Sequence, residues 1–369
     1  TVRPSFPLCR FSPRQPFPSG HTLMIKTASI GASGYTGAER ARILSRHPQV
    51  ELTAATSRQY AGTALADIFP SLGKAVTIIC DNPGIDELCQ RAELFFTAVP
   101  HKTAMDLVPQ LLAAGRKVID LSADFRLRDV AVYEQWYEPH SSPQLLAKAV
   151  YGLPELARER IRGCDLVANP GCYPTSIILA LAPLLEAGAI DPLSIIADSK
   201  SGTSGAGRAA QTGSLFCEVH DGFRPYKVGR THRHTPEIEQ ELSKLSGMAV
   251  QVTFPPHLLP ISRGILSTSY ATLKPGFDSQ TINELYRKRY AEEPFIRVLG
   301  DRTLPATQYV RGSNFCDIAF KVDTATGRVI VMSAIDNIVK GASGQAVQNM
   351  NIMFGFPETA GLSTVPLFP

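Results

Sequence analysis

The stretch LMIKTASIGASGYTGAERARILSRHP (23–48) constrains this chain more than any other. A β-like run ends at Ile30, Gly31, Gly34 and Gly37 follow at once, and a helical pattern then runs until Pro48 stops it. The unit repeats in outline: VELTAAT (50–56), LFFTAV (94–99) and KVIDL (117–121) read as strands, with a helical stretch at 103–114 between the last two. Strands alternating with helices build βαβ units and a parallel sheet. At 369 residues the chain is too long for one core, so a second domain is expected. Its β-type stretches AVQVTFPPHL, GILSTSYATL and RVIVMSAI point to an α+β domain with a mixed or antiparallel sheet, and the tail NIVKGASGQAVQNMNIMFGF is helical.

GASGYTG places Gly31, Ser33, Gly34, Tyr35, Thr36 and Gly37 between a strand and a helix. Glycines there let a backbone approach a pyrophosphate, and the helix N-terminus offers oriented N–H groups. The spacing is G-x-x-G-x-x-G rather than G-x-G-x-x-G, and tight turns also use glycine for packing alone. The βαβ context favours a Rossmann domain with a dinucleotide. The strand after it ends in Thr56-Ser57-Arg58, without the acid that holds an unmodified ribose. A hydroxyl and an arginine suit a 2′-phosphate, so the expected cofactor is NADP(H), held in part by Ser57 and Arg58.

Cys172 follows an Asn-Pro-Gly turn and precedes a long apolar run, SIILALAPLLEAG. A thiol at a helix N-terminus ionises more easily, although a free cysteine is as often a packing residue. THRHTPEIEQEL (231–242) supplies an acid/base candidate in His234, with Glu237 in the first turn of a helix started by Thr235-Pro236. A carboxylate there can orient the imidazole and favour its charged form. SKSGTSGAGR (199–208) offers an anion-binding loop carrying Ser204, Gly205 and Arg208. DLSADFRL (120–127) puts Arg126 at the carboxyl edge of the sheet, where it could fork onto a phosphate or carboxylate.

The remaining features exclude more than they assign. The net charge of +4 and the absence of a Lys/Arg run argue against a nucleic-acid surface, and no apolar stretch has the length of a membrane span. Cys9, Cys80, Cys89, Cys164, Cys172, Cys217 and Cys316 form no CxxC pair and no metal-ligand cluster, so neither disulfides nor a metal are expected. Residues 1–22 contain five prolines and no acid, and read as a disordered leader. The expected location is cytoplasmic, with a plastid or other organelle as the alternative if that leader is a transit peptide.

Taken together, GASGYTGAE, DLSADFRL, VANPGCYPTS, SGTSGAGR, HRHTPEI and DNIVKGASGQAVQN resemble the N-acetyl-γ-glutamyl-phosphate reductases of arginine biosynthesis (type 1-like), in the semialdehyde dehydrogenase superfamily. The motifs run in order from about residue 28 to the end. The resemblance implies that Cys172 is the nucleophile, His234 the acid/base and Glu237 its support, with the glycine turn on NADP(H). By similarity to aspartate-semialdehyde dehydrogenases, it implies that Arg126 and Arg208 hold substrate anions. Asn337 and Lys340 would lie where the chain returns to the cofactor. The expected organisation is a Rossmann domain (23–168), a catalytic and dimerisation domain (169–336) and a terminal segment (337–369) packed back on the first. A small-molecule substrate and a homo-oligomer, dimer or tetramer, are the expected partners. Two other readings remain: the same chemistry on aspartyl or aminoadipyl phosphate, and an NADP-binding regulatory protein with vestigial catalytic groups.

Overall fold

The computed structural model describes residues 24–369; the leader expected at 1–22 lies outside them. Six strands, β1 (Ile25–Ile30), β2 (Val50–Thr56), β3 (Leu94–Thr97), β4 (Lys117–Asp120), β5 (Val150–Tyr151) and β6 (Leu166–Ala168), form one sheet in the order β2-β1-β3-β4-β6-β5. Every pairing in it is parallel. Both faces of the inner strands are covered, so β3, LFFT, is buried throughout. From β1 the chain turns to β2 on one side and then to β3 on the other. The carboxyl ends of β1 and β3 therefore frame the crevice where such sheets bind ligands. Gly31 sits at that point with φ +82°, and a Cβ on it would lie 2.2 Å from the Ala98 carbonyl oxygen, so only glycine fits.

A second, eight-stranded sheet runs β12-β13-β14-β11-β7-β10-β8, with β9 also paired to β7. Its strands are β7 (Ile195–Gly202), β8 (Arg224–Pro225), β9 (Val252–Thr253), β10 (Pro256–Leu259), β11 (Ile265–Thr272), β12 (Ile296–Gly300), β13 (Cys316–Asp323) and β14 (Arg328–Ile335). Pairing is mixed: β7 is antiparallel to β11 and parallel to β10. The run AVQVTFPPHL does not make one strand. Pro255 and Pro256 split it into β9 and β10, since proline offers no N–H to a continuing ladder.

The helix Cys172–Glu186 is apolar on every side, and Tyr173 through Leu185 are all buried. It packs against β11, β14 and the helix Thr235–Ser246. It begins four residues before the run SIILALAPLLEAG, because Pro174 is tolerated in a first turn whose N–H groups have no intrahelical partner. The terminal helix Gly344–Met353 returns to the first sheet. There Val347 and Met350 join Ile43, Phe96 and Ile119 in one apolar cluster.

Candidate active site

Cys172 is the first residue of its helix, with Gly171 as the extended N-cap residue. Two backbone approaches fix it. A Cβ on Gly341 would come within 2.8 Å of Cys172 Cβ, and one on Gly171 within 2.6 Å of His234 Nε2, so the thiol and imidazole are brought together by glycines that leave no room for anything larger. Cys172 and His234 are both half-buried, and both line two adjoining cavities.

The first cavity, of about 520 Å³, is walled by Arg126, Arg224, Lys227 and Arg233 among others, and among the described residues no carboxylate lines it. That electrostatic balance suits an anionic ligand. Tyr137, Tyr173 and Tyr226 supply apolar faces with polar ends, and Tyr226 donates to the Tyr173 hydroxyl at 3.1 Å. The second cavity passes Gly34, Tyr35 and Thr36 of the glycine turn, Ser204 and Gly205 of the loop after β7, and Asn337. A third cavity continues past Gly31 and Ser33 to Ser57 and Arg58. The three form one trough from the β2 end of the first sheet to the thiol.

This trough fits an extended dinucleotide. Gly34 faces it with nothing nearer than 3.9 Å to an added Cβ, so a side chain there would occupy the space that a pyrophosphate needs. Gly37 is glycine for a different reason, since its Cβ would meet the Ala32 carbonyl oxygen at 2.2 Å. Ser33 and Ser57 share a hydrogen bond of 2.9 Å, and Arg58 is exposed at the rim. Asn337 donates to Ser204 Oγ at 3.0 Å and accepts the Gly264 N–H at 2.7 Å, which ties the returning chain to the loop.

Three expectations need correction. Glu237 does not hold His234. Its carboxylate accepts from the Tyr151 hydroxyl and the Gly171 amide, both at 2.8 Å, and from Arg126 Nη1 at 3.2 Å, while His234 Nδ1 has no partner. Helical spacing turns Glu237 inward toward the turn that precedes Cys172. Nor is His234 poised as a cation: burial, with the Arg126, His101 and Lys227 charges, holds its pKa well below the usual value. The thiol is likewise neutral at rest, pushed up to about 11 by burial despite the Tyr173 amide at the helix start. Arg208 lines the same cavity as Cys172 and His234. It donates to the Ser33 carbonyl at 3.0 Å and lies over the Phe69 ring at 4.7 Å, on the cofactor side of the trough.

Arg126 lines both cavities beside Cys172, but most of its fork is spent on protein. Nε donates to Asn169 O and Nη2 to Leu121 O, each at 2.8 Å. Several site residues escaped the sequence reading. His101, from the loop after β3, lines all three cavities, and His232 Nδ1 accepts the His234 backbone N–H at 3.1 Å. HRH was visible as a pair of histidines, whereas nothing in VPHKT marked His101.

Comparison with known proteins agrees with this geometry. Residues 26–164 match the family described as semialdehyde dehydrogenase, NAD binding domain, and residues 172–337 match semialdehyde dehydrogenase, dimerisation domain. A protein of Desulfotalea psychrophila named N-acetyl-gamma-glutamyl-phosphate reductase is 67% identical over 346 residues, 94% of this chain and 100% of its own length. A protein of that name from Pelobacter propionicus is 60% identical over the same shares. Among solved structures, aspartate semialdehyde dehydrogenase II from Vibrio cholerae aligns with TM-score 0.70 at 17% identity, covering 89% of this chain and 98% of that one. The enzyme of Candida albicans solved with NADP aligns with TM-score 0.64 at 17% identity, over 89% of this chain and 98% of its own. At such identity these two likenesses speak to the fold.

Proposed function

The chain belongs to the N-acetyl-gamma-glutamyl-phosphate reductase family, and from that membership we propose that it converts N-acetyl-L-glutamyl 5-phosphate to N-acetyl-L-glutamate 5-semialdehyde and phosphate, reversibly, as a step of arginine biosynthesis. The observation that carries the reading is a thiol at a helix N-terminus, set where a cationic cavity meets a dinucleotide trough. Gly31, Ser33, Gly34, Tyr35, Thr36, Gly37, Ser57, Arg58, Ser204, Gly205 and Asn337 would hold NADP(H), which supplies hydride when bound. Arg208 joins them at the Ser33 carbonyl.

The protein's own groups do the acyl chemistry. Cys172 sulfur attacks the acyl carbon, and the bond to the phosphate oxygen breaks as inorganic phosphate leaves, giving a thioester. Because thiol and imidazole are both neutral at rest, His234 takes the thiol proton as attack begins and returns a proton when the thiohemiacetal collapses. Arg126, with Arg224, Lys227 and Arg233, balances the substrate's negative charge. Preference for NADP over NAD rests on Ser57 and Arg58. The domain matched as a dimerisation domain supports a homo-oligomer, dimer or tetramer. Among the described residues no helix is long and apolar enough to cross a membrane, and a cytoplasmic location fits the biosynthetic role.

The test is NADP⁺ reduction with N-acetylglutamate semialdehyde, with and without inorganic phosphate. Phosphate-dependent NADPH formation is expected. Turnover without phosphate would mean water resolves the thioester, and no turnover with this aldehyde but turnover with its aminoadipyl analogue would move the substrate.

A further inference from the structure

Lys340 is fully buried, and its side chain takes part in no chemistry described above. Its Nζ donates to Glu155 Oε1 at 2.6 Å and Gln348 Oε1 at 2.8 Å, and faces the Phe295 ring at 5.7 Å. A buried ion pair of this kind is a poor device for stability, because desolvation cancels most of the attraction. Its location suggests another use.

Lys340 belongs to a single π-helical turn, Val339–Ser343, just before the terminal helix. Such turns are rare and concentrate at functional sites. Here the wide turn is closed by Gly341 N–H to Asp336 O at 3.0 Å and Ser343 N–H to Ile338 O at 2.8 Å. It meets three parts of the site at once. Gly341 abuts Cys172, with space for no Cβ. The Ala342 carbonyl accepts from Asn169 Nδ2 at 3.2 Å, in the turn that precedes the nucleophile. Ser343 Oγ donates to the Thr36 carbonyl at 2.7 Å, in the helix that opens the glycine turn. One element therefore fixes the nucleophile relative to the cofactor turn, and Lys340 anchors it from behind.

We propose that Lys340 is a positioning residue, its pair with Glu155 locking the Val339–Ser343 turn so that Gly341 seats Cys172 in register with the glycine turn. The inference rests on the reading of Cys172 as nucleophile. Asp336 accepts the Ile338 and Val339 amides at 2.8 and 3.2 Å, so the turn's start is held independently, and what Lys340 governs is its middle.

The experiment compares the wild-type chain with Lys340→Met, the double variant Lys340→Met/Glu155→Met and Glu155→Gln. Readouts are thermal midpoint, kcat and KM, and the rate of Cys172 alkylation by iodoacetamide without cofactor. Lys340→Met alone should melt lower, since it strands the Glu155 charge. The double variant should regain most of the lost thermal midpoint, yet stay at least tenfold down in kcat with KM within threefold, and alkylate at least threefold faster as the seat loosens. A double variant that melts like the parent and keeps kcat within twofold would overturn the proposal, leaving the pair purely structural. Should the double variant not fold, Glu155→Gln decides: it keeps shape and a hydrogen-bond acceptor, and the same kcat loss at constant KM is expected, while unchanged kcat and alkylation overturn the idea. Cys172→Ala is the control on the premise, because turnover surviving in that variant would sink the nucleophile reading, not the seating.

Discussion

Glu237 accepts the Gly171 amide at 2.8 Å, one residue before Cys172, so the carboxylate expected to serve the histidine instead serves the turn that presents the thiol. The same carboxylate accepts from Arg126, whose other nitrogens grip the Asn169 and Leu121 carbonyls. Both side chains are almost wholly buried. Breaking one side of such a pair costs about 3–5 kcal/mol, because a charge is left in a dry site. Glu237→Ala should lower the stability measured by urea unfolding by that order and abolish most turnover. Glu237→Gln, which keeps an acceptor for Gly171 and Tyr151, should lose less of both.

Cys172 should alkylate like a buried thiol rather than an activated one. Burial pushes its pKa up to about 11, and His234 carries no charge to pull it down. Only the thiolate reacts with iodoacetamide. The inactivation rate of the free protein should therefore climb about tenfold per pH unit from pH 7 to 10. A plateau near pH 7 would reveal a thiolate–imidazolium pair and refute the neutral resting state.

Acid should destabilise the fold through the two histidines of HRH. Burial, and then the neighbouring His234, Lys227 and Arg233 charges, depress His232 to about 2, and His234 also lies well below its ordinary value. With folded pKa values beneath the unfolded 6.5, each group contributes stability that is complete above pH 6.5 and is lost as pH falls below it. The slope for each is at most about 1.4 kcal/mol per pH unit. Asp120 opposes them: burial, with Asp124 nearby, raises it to about 6, so its penalty is relieved as pH drops below that value. His232→Gln should flatten the stability–pH curve between pH 6 and 4 by close to one proton, measured by urea unfolding at each pH.

Coenzyme choice should follow Arg58. It is exposed at the rim of the cavity that Ser33 and Ser57 line, and no ion pair holds it among the described residues. Arg58→Ser should raise the KM for NADPH about tenfold, the equivalent of about 1.4 kcal/mol, and leave NADH nearly unchanged. Equal losses with both coenzymes would remove the 2′-phosphate from the argument.

Local chemistry made much of this protein legible from residues alone. Strand patterning set β1, β2, β11 and β14 almost to the residue; β11 and much of β14 alternate buried and part-exposed positions, as a strand with one face on the core must. The glycine turn was equally plain, since a positive φ and a backbone approach admit no other residue at Gly31. Cys172 and His234 stood out by their neighbours in the chain. What the sequence could not decide was which buried group each polar residue answers to. Glu237 lies three residues from His234 but accepts from Gly171, 66 residues away, because a helix face aims its first-turn carboxylate by packing, not by sequence distance. Lys340 stood out only as part of the returning DNIVKG segment, and it is the packing of the terminal helix onto the first sheet that buries it against Glu155 and sets Gly341 behind the thiol. Charge states followed the same rule: an imidazole and a thiol that look poised on paper are both neutral in the fold, since enclosure in a low-dielectric site disfavours charge whichever residue bears it.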